Sequence, residues 1–228
     1  MSCSNESLKR NLLLRAGHAS ENSRTVAFVG ISPGNSFYTD HRKVSKLFEN
    51  VRDFEKIVVW IPVDLHLHSL RAINTHSPER YAEKIGRKLL NVVQTVVAEL
   101  KLEKRVEILK PQLVFSNNVY TTNRLMLLQL AETNVEFLQL LEQNTLQALQ
   151  SLANTHHKSL SNINIKEGIN YIVGELAFLI SFQHIFDCNV AVIYIKEWEL
   201  LENLIKGKYE NVHINRISYW MYNQTKAN

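Results

Sequence analysis

The sequence contains little cysteine and no long apolar run. Cys3 and Cys188 are the only cysteines among 228 residues, which is too few for a disulfide framework, so we expect a reducing compartment. A run of 18 uncharged apolar residues does not occur, and the apolar piece near the start, "NLLL", is too short for the core of a signal peptide. We therefore expect a cytoplasmic protein that does not enter a membrane.

Familiar nucleotide and metal motifs are missing as well. The sequence has no G-x-G-x-x-G turn, no P-loop and no zinc-ligand spacing of cysteine and histidine. These absences argue against a dinucleotide-binding or P-loop protein. The composition, with 45% apolar and 21% charged residues, is that of a soluble globular protein, and the net charge of +4 points only weakly to a polyanionic partner.

The chain does have an alternation of apolar runs and amphipathic stretches. Five short runs predict strands: "TVAFVGI" (25–31), "KIVVWIPV" (56–63), "RVEIL" (105–109), "NVAVIYI" (189–195) and "NRISYWMYN" (215–223). Helices are predicted over 41–54, 78–101, 121–152 (one or two helices), 165–186 and 197–206. The expected fold class is therefore α/β, with a Rossmann-type parallel sheet flanked by helices. We expect a flexible N-terminal segment over 1–23 and a single domain over 24–228.

Ser32 lies between two glycines directly after the first predicted strand, in "GISPGNS". Residues that act chemically in open α/β sheets lie on loops at the carboxyl ends of strands, so this serine is a candidate nucleophile. Ser, Pro, Gly and Asn are also the usual residues of a plain turn. The segment formally matches the G-x-S-x-G nucleophile elbow, but Pro33 has no backbone N–H to donate to an oxyanion, which argues against an α/β-hydrolase.

A second candidate group lies in the helix predicted over 165–186. Tyr171 and Glu175 are four residues apart, so they share one face of a helix. Their neighbours are nearly all apolar, and a buried carboxylate is costly unless a cation meets it. The α-ammonium group of a substrate could be that cation, and a Lys or Arg of the chain is the structural alternative.

Three separated motifs together resemble those of the cyclodipeptide synthases. "FVGISPGNSFY" resembles the first signature, in which a nucleophilic serine stands in a G-x-S-x-x-N context. "NYIVGELAF" supplies the Tyr and Glu one helical turn apart, and "VIYIKEW" supplies Tyr194 late in a strand with Glu197 three residues on. The order of the motifs, over about 165 residues, makes the resemblance specific.

The resemblance implies a fold like the catalytic domain of class I aminoacyl-tRNA synthetases without amino-acid activation, and neither a HIGH nor a KMSKS type of motif is present. It implies two aminoacyl-tRNAs as substrates, a cyclic dipeptide as product, and no metal or other cofactor. Ser32 is expected to accept the first aminoacyl group as an ester. The further expected site residues are catalytic Tyr171, Glu175 and Tyr194 and substrate-binding Gly30, Asn35 and Glu197. We also expect a monomer.

The helix predicted over 78–101 has two unlike faces. Arg80, Lys84, Arg87 and Lys88 fall within about 100° of one another, opposite an apolar face. Such a stripe is commonly a solvated face, but it also neutralises phosphates without reading bases. The resemblance implies that a basic helix at this place in the chain holds the acceptor arm of tRNA.

The resemblance also implies which residues line the pocket for the first aminoacyl side chain. They are the neighbours of the motifs, Phe28, Gly30, Phe178 and Val192. Since they are apolar, we expect an apolar side chain such as Leu in the product.

His66 and His68 stand in "VDLHLHS" with the alternation of a strand end. A third ligand is not evident, so we expect loop or pocket residues rather than metal ligands.

Two other functions stay open from the sequence. Another serine acyltransferase or esterase on a Rossmann-type sheet would use Ser32, but Pro33 and the missing triad order oppose it. A non-catalytic tRNA-binding module would keep the fold and the basic helix. Against it, all three motif positions carry functional residue types.

Overall fold

A computed structural model of the chain describes residues 12–15, 25–159, 161, 163–195, 197–210, 212, 214 and 217–222. These residues contain a six-stranded sheet of order β1-β6-β5-β2-β3-β4. The strands are β1 (Leu12–Arg15), β2 (Thr25–Gly30), β3 (Ile57–Trp60), β4 (Val106–Ile108), β5 (Asn189–Tyr194) and β6 (Ile217–Tyr222). Strands β2 to β6 are parallel, and β1 pairs antiparallel with β6. The predicted Rossmann-type parallel sheet is confirmed.

Helices connect the strands and cover both faces of the sheet. They are α1 (His41–Val51), α2 (Val63–Ala72), α3 (Pro78–Glu99), α4 (Pro111–Phe115), α5 (Asn118–Thr133), α6 (Val135–Thr155), α7 (Ile165–Ile185) and α8 (Glu199–Ile205). The segment predicted as one or two helices is two, because Asn134 ends α5 and its side chain accepts a hydrogen bond from Phe137 N at 2.9 Å to cap α6. In the described part of the chain, no helix combines the length and apolarity that crossing a bilayer requires.

The central strands are apolar throughout because both of their faces are buried. In β2, Val26 and Phe28 pack on one side under α5, α7 and α8, while Ala27 and Val29 pack on the other side under α1 and α3. A strand buried on one face only would show alternating polar residues. The continuous apolar run that predicted this strand is therefore a direct consequence of its central place in the sheet.

Strand β1 lies inside the segment 1–23 that was predicted to be flexible. It pairs with β6 in a register that joins Leu12 to Tyr222 and Arg15 to Tyr219. Without β1, the backbone N–H and C=O groups along one side of β6 would be an unpaired sheet edge. Residues 12–15 are therefore a strand of the sheet, and residues 1–11 and 16–23 lie outside the described residues.

The segment containing His66 and His68 is a helix, α2, and not a strand end. Its buried residues include Leu65, His66, Ser69 and Leu70, which recur with the spacing of one helical face. Asp64 lies in the first turn, where a carboxylate interacts favourably with the helix dipole. The alternation of polar and apolar residues that suggested a strand is too short to outweigh this pattern.

Helix α2 approaches α7 closely at Gly174. A methyl group on Gly174 would lie 2.6 Å from Cδ2 of Leu65, a distance that real side chains do not adopt. Since Leu65 is buried, it cannot swing into solvent to make room. Gly174 therefore fixes the distance between α2 and α7, the two helices that carry His66 and Glu175.

Gly174→Ala is expected to lower the free energy of unfolding by about 1 kcal/mol. Overpacking costs about 1–3 kcal/mol, and the better helix propensity of Ala offsets at most about 1 kcal/mol. Thermal denaturation should show a melting temperature lower by about 2–4 °C. In a Leu65→Ala background the same substitution should be neutral or stabilising, and an equal cost in both backgrounds would show that the contact with Leu65 is not the cause.

Candidate active site

The chain turns sharply after β2 and exposes Ser32 at the carboxyl edge of the sheet. The backbone N–H of Asn35 donates to the carbonyl oxygen of Ser32 at 3.1 Å, with Pro33 at the second position of the turn. The side chain of Asn35 accepts from Phe37 N at 2.9 Å and caps a short 3-10 helix over Ser36–Thr39. Ser32 is therefore a turn residue, and its half-buried side chain also lines a cavity.

Ser32 is in contact with a group of hydroxyls and a carboxylate from distant parts of the chain. Its Oγ lies 3.4 Å from the hydroxyl of Tyr171, which is 139 residues away in the sequence. One helical turn further along α7 is Glu175, whose Oε1 accepts a hydrogen bond of 2.6 Å from the hydroxyl of Tyr194. Tyr194 ends β5, the strand next to β2. The adjacent strand ends thus bring three separated motifs together.

The two tyrosines of this group are held in their protonated form. Burial, and next the nearby Glu175 carboxylate, raise the pKa of Tyr171 and that of Tyr194 well above the usual value of 10. A protonated phenol can donate a hydrogen bond to a carboxylate or to a substrate oxygen. Glu175 itself is only 9% exposed.

A cavity of about 300 Å³ surrounds these groups, at the lower end of the range for small-molecule sites. The predicted site residues that line it are Gly30, Ser32, Asn35, Tyr171, Glu175, Tyr194 and Glu197. Leu152, Ile172, Ile195 and Trp198 add apolar wall, and Tyr38 adds a further phenol that the sequence analysis missed. Burial, and next Glu175, raise the pKa of Tyr38.

Three residues predicted to line the substrate pocket are core residues instead. Phe28 and Val192 are paired neighbours on one face of the sheet, and Phe178 of α7 packs against Phe28 with ring centroids 5.3 Å apart. All three are fully buried and do not line the cavity. Phe28 and Val192 lie under α7, to which Phe178 belongs, whereas the cavity lies beyond the strand ends. Closeness to a motif in the sequence therefore does not determine whether a side chain points into the cavity or into the core.

One face of α6 forms a wall that the sequence analysis also missed. Its residues lining the cavity recur with helical spacing and are mostly small and polar: Asn144, Gln147, Ala148, Ser151, Leu152 and Thr155. The sequence did carry a signal, since polar residues recur at intervals of three and four among the leucines of this helix. This spacing identifies the polar face of α6, but it does not show what that face contacts in the folded protein.

His66 and His68 have separate surroundings. His68 Nδ1 lies 2.8 Å from Oε1 of Glu167, at the start of α7. His66 is 2% exposed and lines the cavity. Burial, and next the nearby His156, lower the pKa of His66 to about 4, so this imidazole is neutral at physiological pH.

The predicted basic face lies on α3. Arg80, Lys84, Arg87 and Lys88 are all exposed, while Leu89, Val93 and Val96 on the other side are buried. Arg87 is paired with Glu83 at 3.2 Å. Helix α3 packs against the 3-10 helix that follows the Ser32 turn. The basic face therefore belongs to an element that neighbours the cavity.

Comparison with known proteins identifies the family. The model of the cyclodipeptide synthase family matches residues 18–222. The chain belongs to the cyclodipeptide synthases, which are aminoacyl-transferring enzymes. The family predicted from the three motifs is thereby confirmed. A comparison with curated proteins gave no match.

Solved structures of low sequence identity share the fold. A cyclodipeptide synthase from Bacillus thermoamylovorans is 18% identical with a TM-score of 0.79, over 96% of this chain and 99% of that one. A Mycobacterium tuberculosis protein, whose structure relates cyclodipeptide synthetases to type I tRNA synthetases, is 16% identical with a TM-score of 0.67, over 93% of each chain. The cyclodipeptide synthase of Candidatus Glomeribacter gigasporarum, bound to Phe-tRNAPhe, is 15% identical with a TM-score of 0.62, over 90% of each chain.

The low pKa of His66 predicts a loss of stability in mild acid. Between pH 6.5 and about 4 the unfolded chain binds a proton at this histidine that the folded protein does not bind. Unfolding is therefore favoured as the pH falls through this window, by up to about 3 kcal/mol. Denaturant unfolding at several pH values should show that the free energy of unfolding falls less steeply with decreasing pH for His66→Gln than for the wild type. A decline of His66→Gln parallel to that of the wild type would contradict the assignment.

Proposed function

We propose that the protein makes a cyclic dipeptide from two aminoacyl-tRNAs through an aminoacyl ester on Ser32. The observation that carries this proposal is the convergence of Ser32, Tyr171, Glu175 and Tyr194, from three separate segments, on one cavity. Family membership gives the type of reaction, and the geometry supports the roles proposed for these residues.

In the first step the oxygen of Ser32 attacks the ester carbonyl of an aminoacyl-tRNA. A new serine ester forms, the bond to the terminal ribose oxygen breaks, and that oxygen takes up a proton. One ester replaces another, so the transfer needs no ATP, and the covalent intermediate divides the synthesis into easier steps. Tyr171, 3.4 Å from Ser32 Oγ and protonated, is placed to hold the attacking or the leaving oxygen by a hydrogen bond.

Glu175 is the group that receives the amino end of the substrate. Its carboxylate is buried in a largely apolar helix, where the α-ammonium of an aminoacyl group is a suitable partner. The carboxylate can accept a proton from that ammonium and so release the free amine for attack. Tyr194 donates to the same carboxylate at 2.6 Å and fixes its orientation.

The second substrate completes the product by two further attacks. Its amine attacks the ester on Ser32, which forms the first peptide bond and frees the serine hydroxyl. The amine of the first residue then attacks the remaining tRNA ester, which closes the six-membered ring and frees the tRNA. Both attacks need a deprotonated amine, and both can use Glu175 with Tyr194 beside it.

At least one of the two side chains is expected to be apolar. The support for this is the apolar part of the cavity wall, formed by Leu152, Ile172, Ile195 and Trp198. Phe28 lies behind Gly30, since a methyl group on Gly30 would be in van der Waals contact with it at 3.5 Å. An apolar side chain such as Leu fits this proposal.

The tRNA acceptor arm is proposed to bind across the basic face of α3. The exposed Arg80, Lys84, Arg87 and Lys88 can neutralise phosphates, and α3 packs next to the segment that follows Ser32. The Glomeribacter relative bound to Phe-tRNAPhe supports an aminoacyl-tRNA as ligand of this fold. An esterase function is less well supported, because Pro33 cannot donate an N–H to an oxyanion as the elbow of an α/β-hydrolase requires.

Expression of the chain in bacteria is expected to release cyclic dipeptides into the medium, detectable by mass spectrometry. Ser32→Ala should abolish them, because no oxygen remains to carry the first aminoacyl group, and should leave tRNA binding intact. Cyclic dipeptides from the Ser32→Ala variant at wild-type level would contradict the covalent route. Their absence from both cultures, with soluble protein in each, would contradict the synthase function itself.

Lys84→Gln with Lys88→Gln is expected to weaken tRNA binding and to flatten its salt dependence. Each lost phosphate contact lowers the slope of log K against log salt by about 1. Filter binding at several salt concentrations measures this slope. Lys110→Gln with Lys206→Gln removes the same charge from elements on the opposite face of the sheet, and an equal effect of both pairs would show that net charge alone is responsible.

A further inference from the structure

The inference concerns His66, a buried polar group that the reaction described above does not use. Its Nε2 atom is buried, and among the described residues it has no hydrogen-bond partner. An unpartnered buried polar atom is unfavourable, and native structures seldom keep one without a ligand or a function. This atom belongs to a residue that is 2% exposed and lines the cavity beside the Ser32 turn.

The position of His66 relative to the nucleophile is fixed by packing. A methyl group on Gly34 would lie 3.6 Å from Cε1 of His66, so the imidazole is directly next to the loop that carries Ser32. The close approach of Leu65 to Gly174 holds α2 against α7. The imidazole thus stands on a rigid helix within reach of a group bound at Ser32.

Uncharged hydrogen-bonding groups line the α2 and α6 side of the cavity. Ser69 lies one helical turn along α2 and is buried with His66. The polar face of α6 adds Asn144, which is half-buried, and Gln147, Ser151 and Thr155, which are exposed. None of these six side chains bears a charge at neutral pH, since burial keeps the imidazole neutral. The buried pair of His66 and Ser69 can bond a hydroxyl or a carboxamide, but it offers no opposite charge to an ionised group.

We propose that His66 is a specificity-determining residue, which hydrogen-bonds the hydroxyl or carboxamide side chain of one of the two aminoacyl groups. The other aminoacyl group is the apolar one described above, so the product is a mixed polar–apolar cyclic dipeptide. This inference rests on the proposed synthase function and specifies the substrate class of the same cavity. Apolar competitors are rejected because they leave the buried imidazole unpaired.

The test compares two substitutions of similar size that differ in hydrogen bonding. His66→Gln keeps a polar atom near the position of Nε2, whereas His66→Met fills the space without one. The purified wild type and both variants receive the complete set of aminoacyl-tRNAs, and mass spectrometry gives the proportions of the cyclic dipeptides. The wild type should make a product with one Ser, Thr, Asn or Gln residue. His66→Met should lower its share relative to all-apolar products by about tenfold or more, and His66→Gln should retain it.

His68→Met serves as the matched control, because it removes a histidine of the same helix whose side chain contacts Glu167 and not the cavity. Its product proportions should equal those of the wild type. Melting temperatures of all variants separate a change of specificity from a loss of folding, since partial unfolding lowers every product equally.

Several results would overturn the inference. Wild-type products with two apolar side chains would do so while leaving the synthase function intact. An unchanged product ratio in His66→Met would do the same. If folded His66→Met makes less of every product by the same factor, His66 bonds the terminal ribose, which every substrate shares, and not a side chain. If the wild type makes no cyclic dipeptide at all, the proposed function fails and this inference fails with it.

Discussion

The burial of one carboxylate is the constraint on which the site depends. Glu175 lies in a helix packed between the sheet and neighbouring helices, where an ionised group without partners would cost several kcal/mol. The hydroxyl of Tyr194 meets it from the end of β5, and Tyr171 shares its helix face and reaches Ser32. The carboxylate therefore needs β5, α7 and the turn after β2 in their observed places. The same partners also line the cavity.

The parts of the structure that could be predicted from sequence share a physical property. The strands β2, β3 and β5 are continuous apolar runs because the sheet is buried on both faces, so their periodicity is local and strong. The candidate residues Ser32, Tyr171 and Glu175 stand out from local patterns, a turn after a strand and a shared helix face, whereas Tyr194 was predicted from the family resemblance of its motif. Their meeting point then follows from the parallel order of the strands.

What could not be predicted depends on contacts between distant segments. Helix α2 has a short amphipathic pattern whose alternation would also suit a strand. Its packing against α7 at Gly174 favours the helix. Phe28 stands two residues before Gly30 on the same face of β2, yet its side chain lies in the core, because the cavity lies beyond the strand end. The polar face of α6 is visible in the sequence, but only the tertiary structure shows that it also lines the cavity.

The order of the strands has a consequence for synthesis on the ribosome. Strand β2, which is followed by Ser32, has β5 as one neighbour, and β5 is translated more than 150 residues later. Tyr171 is translated 139 residues after Ser32, and Tyr194 later still, and contacts of such long sequence separation form late in folding. The unfinished chain is thus close to the aminoacyl-tRNAs that the ribosome uses. It does not yet have an assembled site that could react with them. The site is thus assembled only after α7 and β5 have been translated.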